Sequence, residues 1–449
     1  MDFKIKEIQT SLTSFDIFSI FKDYKEVIFL DSAKLDSSFS NYSFLGLNPY
    51  KTLKSKNGAL FLNDNKVLGD PFLLLEKEIK EYSIPNHTLP LAAGALGYIS
   101  YDSHVYIEEI NSSALEDIKI PEIYFNFYDN LIIFDHQNSK TYISAMGILN
   151  DSSESIKEIK NLIEKNSTVS KSELMDENNE FFSNFTREEY LSTVDKLKSY
   201  IESGDVYIAN LTQRFNCKTH KTSFDIYKEL RTTNPAPFAA YLSFEDFQVI
   251  SSSPERFMKI NKGIVETRPI KGTRPRGSTT EEDENNKNQL LSSEKDKSEL
   301  LMIVDLERND LSKVCKPFTV KVTELFKLEE YSTVFHLVAT VIGELRDDIS
   351  SIKCIRECFP GGSITGAPKI RAMEVIDELE KIKRNIYTGA IGYFDFNGNA
   401  DFNIVIRTIF KQNNNAYFGV GGGITWESER EAEYEETLDK AKSLMRVLR

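Results

Sequence analysis

The sequence contains few of the residue types that carry thiol, imidazole or indole chemistry. Its 449 residues include four cysteines, five histidines and a single tryptophan. None of the cysteines forms a C-x-x-C pair, which predicts small buried apolar side chains rather than disulfides or a zinc site. No G-x-C-x-G segment is present, so we expect no cysteine nucleophile of a glutamine-hydrolysing domain.

Basic residues and long apolar runs are also scarce. Lysine and arginine number 55 against 69 aspartates and glutamates, which gives a net charge of -14. Such a chain has no large basic excess to neutralise phosphates, so nucleic acid is not an expected partner. The longest uncharged apolar run, residues 89–98, is too short to span a bilayer, and the first residues lack a secretory apolar core. We therefore expect a cytoplasmic protein without a membrane partner.

Strand-like and helix-like segments are mixed along the chain rather than strictly alternating, which predicts an α+β fold. Residues 1–165 form a strand-rich N-terminal region with many aromatic and β-branched side chains. Residues 166–184 are polar and predict a linker or an exposed loop. Residues 185–449 follow as a second region, in which Thr186 and Glu189 predict a capping box at the start of a helix.

Two acidic pairs are spaced for metal binding. Asp296 and Glu299, and likewise Glu433 and Glu436, are three residues apart in predicted helices and so share a helix face. Four carboxylates on two helices match the oxygen ligands that Mg²⁺ prefers. Either pair alone more often marks a solvated helix face.

Lys271 lies in the segment ETRPIKGTRPRG, between an apolar Pro-Ile and a Gly-Thr turn with three arginines nearby. A chain reversal does not require a lysine. The lysine fits either a cation that binds an anion or a nucleophilic amine, and the local sequence favours the anion-binding role.

A glycine-rich segment, FPGGSITGAPK, begins like a phosphate-binding P-loop at Gly361 and Gly366. It ends in Ala-Pro-Lys instead of Gly-Lys-Ser/Thr, which disfavours an ATP site. Backbone N–H groups at the start of the following helix suit an anion such as a carboxylate. Glu255 and His336 are each isolated, and such residues are more often structural than catalytic.

Eleven motifs along the chain support one another through their order. They are NLTQRF, NPAPFAAYL, SSSPERF, PIKGTRPRG, ELLMIVDLERNDL, VFHLVATV, FPGGSITGAPK, YTGAIGY, IVIRT, GVGGGI and EYEETLDKAK. In this order they resemble the chorismate-binding enzyme family, most densely over residues 190–442. The resemblance implies two stacked, largely antiparallel β-sheets in a sandwich-like core, with helices on the outside. It also implies Mg²⁺-dependent amination of chorismate to 4-amino-4-deoxychorismate, with ammonia from a separate glutaminase subunit.

The resemblance assigns roles to residues of this chain. Lys271 corresponds to a covalent nucleophile, Glu255 to a general acid, and His336 to a residue that assists proton transfer. Mg²⁺ would be held by Asp296, Glu299, Glu433 and Glu436. The substrate would be bound by Gly272, Thr273, Ser363, Tyr387, Arg407, Gly421, Gly422, Gly423 and Lys440.

Two positions bear on which reaction is catalysed. In the P-I-x-G-T motif, family members that make anthranilate typically carry alanine, whereas those that make 4-amino-4-deoxychorismate typically carry the lysine found here. Members that add water use a lysine at the position of Ile208, so water addition is disfavoured. Members that transfer ammonia often carry glutamine there, and Ile208 departs from that pattern too. The alternatives are conversion of chorismate to anthranilate with release of pyruvate, and a non-catalytic relative that binds an aromatic ligand or a partner.

We predict that tryptophan does not inhibit this protein tightly. Asp31 replaces the glutamate that is frequent in family members inhibited by tryptophan. Turnover of chorismate should therefore be unchanged at micromolar tryptophan, and half-inhibition in that range would contradict the prediction.

Overall fold

The computed structural model describes residues 2–33, 41–110, 112–166, 177–330 and 334–449. The helices are α1 (Ser14–Phe21), α2 (Pro71–Lys80), α3 (Ser152–Lys165), α4 (Arg187–Glu202), α5 (Ser223–Thr233), α6 (Thr280–Ser292), α7 (Glu294–Val314), α8 (Ser351–Cys358), α9 (Lys369–Glu380) and α10 (Arg430–Val447). Two 3₁₀ turns cover Tyr101–Tyr106 and Gly362–Ile364.

The strands run through the whole chain. They are β1 (Lys4–Ile8), β2 (Ile28–Asp31), β3 (Tyr42–Lys56), β4 (Ala59–Leu62), β5 (Asn65–Val67), β6 (Gly94–Ile99), β7 (Ile123–Asp135), β8 (Lys140–Ala145), β9 (Phe182–Ser183), β10 (Ile208–Lys218), β11 (Phe238–Ser243), β12 (Gln248–Ser253), β13 (Arg256–Asn261), β14 (Ile264–Thr267), β15 (Ile270–Pro275), β16 (Lys321–Glu330), β17 (Val334–Glu344), β18 (Gly366–Ala367), β19 (Ala390–Asp395), β20 (Ala400–Ile404), β21 (Thr408–Gln412) and β22 (Asn415–Ile424).

The strands pair antiparallel and join into one continuous hydrogen-bonded network. Buried apolar side chains pack against its faces, and the helices cover it from outside. One cluster combines β6, β7, β13 and β17 with α7 and α8, and another combines β8, β10 and β22 with α3, α5 and α10. The predicted α+β class with largely antiparallel strand pairing is therefore confirmed, and the strands that were expected to form two sheets join into one network.

Strands of the N-terminal region, residues 1–165, pair directly with strands of the region 185–449. β2 pairs with β11, and β6 lies between β7 and β19. Of the predicted linker 166–184, residues 167–176 lie outside the described residues. The part that follows is attached to the body, since β9 pairs with β10 and the Glu177 carboxylate accepts a hydrogen bond from the Thr219 hydroxyl at 2.7 Å.

Helix starts follow the local sequence. Thr186 and Glu189 form the predicted reciprocal capping box at the start of α4. The Ser293 hydroxyl accepts from the Asp296 N–H and begins α7. Helices α7 and α10 carry the two acidic pairs. α7 packs against β17, and α10 packs against β22. No helix in the described part of the chain is long and apolar enough to cross a membrane.

The apolar run at 89–98 contributes β6, which is buried along its whole length. Gly97 lies opposite Gly392 of β19 and Phe125 of β7. A Cβ atom at Gly97 would lie 1.9 Å from the Tyr124 carbonyl oxygen. The central strands therefore require glycine at this point because their backbones approach closely.

We predict that Gly97→Ala lowers the free energy of unfolding by about 3 kcal/mol, because a buried backbone must shift to admit the methyl group. Gly398→Ala is the control, since a Cβ there meets nothing within 4 Å and only the positive φ of +89° is strained. It should cost about 1 kcal/mol. Urea titration followed by circular dichroism measures both, and equal losses would contradict the close-packing argument.

Candidate active site

The β15 strand presents Lys271 through a local irregularity. Its pairing with β17 shifts register between Lys271 and Thr273, and Gly272 between them has φ +71°. A Cβ at Gly272 would lie 3.0 Å from Asp296 Cβ and 2.7 Å from Leu290 Cδ1, so the position favours glycine on both counts. Lys271 Nζ donates to the Ser363 carbonyl at 3.3 Å.

Two buried polar atoms near Lys271 make no hydrogen bond of good geometry. They are Glu255 Oε1 and Ser363 Oγ, on residues only 6% and 7% exposed. Burial raises the pKa of Glu255, and the Lys271 charge and the nearby Ser363 hydroxyl act in the opposite direction. Because buried polar groups normally have partners, the two atoms indicate a place that a bound ligand completes.

The turn that carries Ser363 is held from two sides. On one side, the Gly362 N–H donates to Glu307 Oε1 of α7 at 3.2 Å. On the other, the Ile364 carbonyl accepts from the Arg384 guanidinium at 2.9 Å and from the Asn210 side-chain amide at 3.2 Å. This support fixes the carbonyl that Lys271 contacts.

His336 lies on β17, opposite Thr273 of the β15 strand that carries Lys271. Its Nδ1 lies 3.0 Å from the Thr273 hydroxyl. The partnership fixes the orientation of the ring beside the candidate nucleophile.

Three side chains of α10 converge on β22. A Cβ at Gly422 would lie 3.2 Å from Glu433 Oε2, 3.5 Å from Glu436 Oε1 and 3.9 Å from Lys440 Nζ. Lys440 also donates to the Gly421 carbonyl at 2.8 Å and pairs with Glu436 at 2.6 Å. Glycine at 422 therefore leaves the space into which the α10 carboxylates point.

The α7 carboxylates adjoin those of α10. Lys295 Nζ lies 3.9 Å from Glu299 Oε1 and 3.9 Å from Glu433 Oε1, so one ammonium lies between carboxylates of two helices. Asp296 pairs with Arg274 at 3.0 Å. The structure thus brings the four predicted acidic residues into one neighbourhood, although they are far apart in sequence.

The pKa values of these groups reflect burial and crowding. Burial raises the pKa of Glu299 and of Glu433, and neighbouring carboxylates add to both shifts. Partial burial also acts to raise the pKa of Glu436, but the Lys440 ammonium outweighs it and lowers the pKa. The Glu436 side chain is 51% exposed, which limits the effect of burial. The nearby Lys440 ammonium therefore sets the direction of its pKa shift.

The donor set fits a hard divalent cation in its chemistry, because carboxylate oxygens of two helices already share a cationic group. Among the described residues, no three acidic, histidine or cysteine side chains are grouped closely enough to hold a metal ion as they stand. The role of these four residues therefore stays a prediction.

The remaining predicted residues lie along β22, before β19 (Tyr387) and between β20 and β21 (Arg407). Beyond Tyr417, β22 pairs only with β10 in the described structure, so its other edge is open beside Gly421–Gly423. The Tyr387 ring packs against Gly419, where a Cβ would overlap it at 2.3 Å. Burial raises the pKa of Tyr387 and lowers that of Arg407, and each opposes the shift of the other. The Arg407 guanidinium has no hydrogen-bond acceptor among the described residues, which suits an anionic ligand.

Sequence reasoning missed the residues that support the site. Arg384 and Glu380 form a buried ion pair at 2.7 Å, and Glu380 also accepts from the Thr212 N–H at 2.8 Å. Lys369, the lysine of the P-loop-like segment, pairs with Asp310 at 2.5 Å and donates to the Pro360 carbonyl at 2.8 Å. It therefore stabilises the turn instead of binding phosphate. An arginine four residues after a glutamate was the available signal for the first pair.

The position singled out for tryptophan lies in another cleft. Asp31 lines it together with Tyr42 and Phe238. Its carboxylate accepts from Arg231 at 2.6 Å and from the Tyr227 hydroxyl at 2.9 Å. Both partners come from α5, so the charge of Asp31 is already neutralised within the protein.

A family model described as chorismate binding enzyme matches residues 25–446. The chain belongs to the chorismate-binding enzyme family. It is 38% identical to aminodeoxychorismate synthase component 1 of Bacillus subtilis, over 94% of this chain and 92% of that protein. It is also 38% identical to anthranilate synthase component 1 of Acetivibrio thermocellus, over 96% and 92% respectively.

A solved structure supports the same assignment. Anthranilate synthase component I from Streptococcus pneumoniae superposes with a TM-score of 0.83 at 33% identity, covering 92% of this chain and 93% of that one. This member of the chorismate-binding family is therefore a chorismate-utilising enzyme of the aminodeoxychorismate or anthranilate synthase type.

We predict that Glu255→Gln stabilises the protein at pH 8 but not near pH 5. The pKa of Glu255 is raised in the folded state, so folding is penalised once pH exceeds the value of an unfolded glutamate, about 4.3. A neutral amide removes that penalty, and the gain should shrink as pH falls toward 5. Thermal melts at both pH values test this, with Glu435→Gln at an exposed position as the control. A gain that is independent of pH would contradict the assignment.

Proposed function

We propose that this enzyme aminates chorismate at C4 to give 4-amino-4-deoxychorismate, with Lys271 as the nucleophile. The observation that carries the proposal is the placement of Lys271. Its ammonium reaches the Ser363 carbonyl at 3.3 Å and acts electrostatically on the buried, unpaired carboxyl of Glu255. An amine and a carboxylic acid are thereby held at one cleft, as substitution of a hydroxyl group requires.

The cleft also has groups for the two carboxylates of chorismate. Arg407 donates to no acceptor in the described part of the chain and lies close enough to Tyr387 for the two charges to interact. The open edge of β22 offers backbone N–H groups near Gly421–Gly423, and Lys440 adds a positive charge there. Charge-assisted hydrogen bonds from these groups would orient the ring between Lys271 and the acidic helices.

The reaction proceeds in two substitutions. In the first, the neutral Lys271 amine bonds to C2, both ring double bonds shift by one position, and the C4–O bond breaks. Glu255 gives its proton to the departing hydroxyl, which leaves as water. In the second, ammonia bonds to C4, both double bonds shift back, and the C2–N bond to Lys271 breaks. The carboxylate of Glu255 takes the proton that the new ammonium group loses, so chorismate and ammonia give the aminated product and water.

Asp296, Glu299, Glu433 and Glu436 would hold Mg²⁺ in this proposal. The chemistry supplied by the bound ion is polarisation of the ring carboxylate, which withdraws electrons from the diene. Asp296 has the shorter reach and is already bound to Arg274, so it fits an outer role mediated by water.

Ammonia would come from a separate glutaminase subunit. Relatives on both sides of the family carry the designation component 1 in their names, which points to a second component. The sequence also lacks a G-x-C-x-G segment for glutamine hydrolysis.

The product decides between this proposal and its alternative. We expect purified protein with chorismate, Mg²⁺ and excess ammonium salt at alkaline pH to give an aminated compound that retains the enolpyruvyl group. Mass spectrometry identifies it. Anthranilate with released pyruvate would instead assign the alternative reaction. Sequence identity does not decide between the two, because it is 38% to a relative of each kind.

The residue roles have their own test. Glu255→Gln should lower turnover about 10²- to 10⁴-fold, as expected when a general acid is lost. Lys271→Ala should abolish formation of the aminated product and of any covalent adduct visible by intact-protein mass. Lys321→Ala, at an exposed position on the adjoining β16, is the matched control and should leave turnover unchanged. Full activity of the Lys271→Ala variant would contradict the role of Lys271 as the nucleophile.

A further inference from the structure

Lys295 occupies a position in the cleft for which the proposed chemistry gives no role. It lies in the first turn of α7, and its ammonium lies 3.9 Å from carboxylate oxygens of both Glu299 and Glu433. Its side chain is 48% exposed. A half-exposed lysine thus links the α7 carboxylate to the α10 carboxylate.

The other cations beside these carboxylates are bound more firmly. Arg274 reaches Asp296 at 3.0 Å, and Lys440 reaches Glu436 at 2.6 Å while also donating to the Gly421 carbonyl. Both distances fall within hydrogen-bonding range, whereas 3.9 Å does not. Lys271, whose charge also acts on Glu299, donates to the Ser363 carbonyl at 3.3 Å. Among these cations Lys295 is held by charge alone, so it leaves at the lowest cost.

We propose that Lys295 is a tethered counter-ion that competes with the divalent cation. In the metal-free protein its ammonium neutralises Glu299 and Glu433, and it withdraws toward solvent when the ion binds. Its presence therefore weakens metal binding. The inference rests on the proposed function in one respect, namely that Glu299 and Glu433 are metal ligands.

Electrostatics gives the direction of the effect. Two carboxylates held close together repel each other, and an ammonium between them relieves the repulsion. A divalent cation relieves it more completely and forms direct bonds to oxygen. Without Lys295, the metal-free state has more repulsion to relieve, and the bound ion has one positive neighbour fewer. Both changes favour binding.

The cleft shows independent signs of a ligand. Glu255 Oε1 and Ser363 Oγ are buried and make no hydrogen bond of good geometry. Lys271 reaches the Ser363 carbonyl at 3.3 Å, and its charge also acts on Glu299. The acidic groups therefore belong to a cleft with unfilled hydrogen-bonding capacity and are not merely a solvated helix face.

Calorimetric titration of the metal-free full-length protein with MnCl₂ and with MgCl₂ tests the proposal. We expect Lys295→Met to bind either ion roughly tenfold more tightly than the unaltered protein at low salt. The gain should shrink as NaCl is raised, because salt screens a partly exposed charge. Lys295→Arg keeps the charge and should retain the original affinity.

Lys297→Met is the matched control. Lys297 lies two residues away on the same helix and pairs with Glu294 at 3.2 Å, away from the four carboxylates. Its loss should leave the affinity unchanged. An equal gain in this variant would reduce the effect to net charge and overturn the proposal, as would unchanged or weaker binding by Lys295→Met.

Thermal melts provide a second readout. Metal-free Lys295→Met should melt lower than the unaltered protein and gain more from added Mn²⁺, since tighter binding gives larger stabilisation. If the unaltered protein binds no divalent ion at millimolar concentration, the metal site of the proposed function fails, and the inference fails with it. If it binds but Lys295→Met does not differ, the inference alone fails.

Discussion

The clustering of carboxylates against the β22 strand is the constraint on which the site depends. Negative side chains from α7 and α10 lie together only because cations are interleaved with them: Arg274 beside Asp296, Lys440 beside Glu436, and Lys295 between the two helices. Crowding and burial raise the pKa of two of the glutamates. Three cations thus offset most of the repulsion among the four carboxylates in the folded chain. Glycine at position 422 leaves the space that the side chains of Glu433, Glu436 and Lys440 occupy.

A second layer of buried ion pairs fixes the backbone around this cleft. Lys369 with Asp310 supports one side of the glycine-rich turn, and Arg384 with Glu380 supports the other. Each pair also satisfies backbone carbonyls that the turn cannot satisfy itself. A short turn with little side-chain bulk is rigid here because polar groups from two helices bind its backbone. This explains how Ser363 can present an unpartnered hydroxyl without the turn collapsing onto it.

Part of this arrangement could be predicted from the sequence, and the difference has a physical basis. The capping box at Thr186 depends on residues three apart, and the acidic pairs depend on helix periodicity, so local rules find them. The ordered motifs then pointed to the family, which local rules alone could not do. Lys295 was overlooked because its partners Glu299 and Glu433 lie on different helices, and only the tertiary structure brings them to one ammonium. Lys369 was considered only as a failed phosphate ligand, since sequence does not show that its donors are used by Asp310 and the Pro360 carbonyl.

The pairing of β6 with β19 has a consequence for how the chain is made. β6 ends at Ile99, whereas its neighbour β19 begins only at Ala390 and is therefore synthesised much later. Until then one edge of a fully buried strand has no partner, and exposed strand edges invite pairing with other chains. β2 likewise has no partner on one edge until β11 has been synthesised. The nascent protein must therefore keep these two strand edges from pairing with other chains until β11 and β19 have been synthesised.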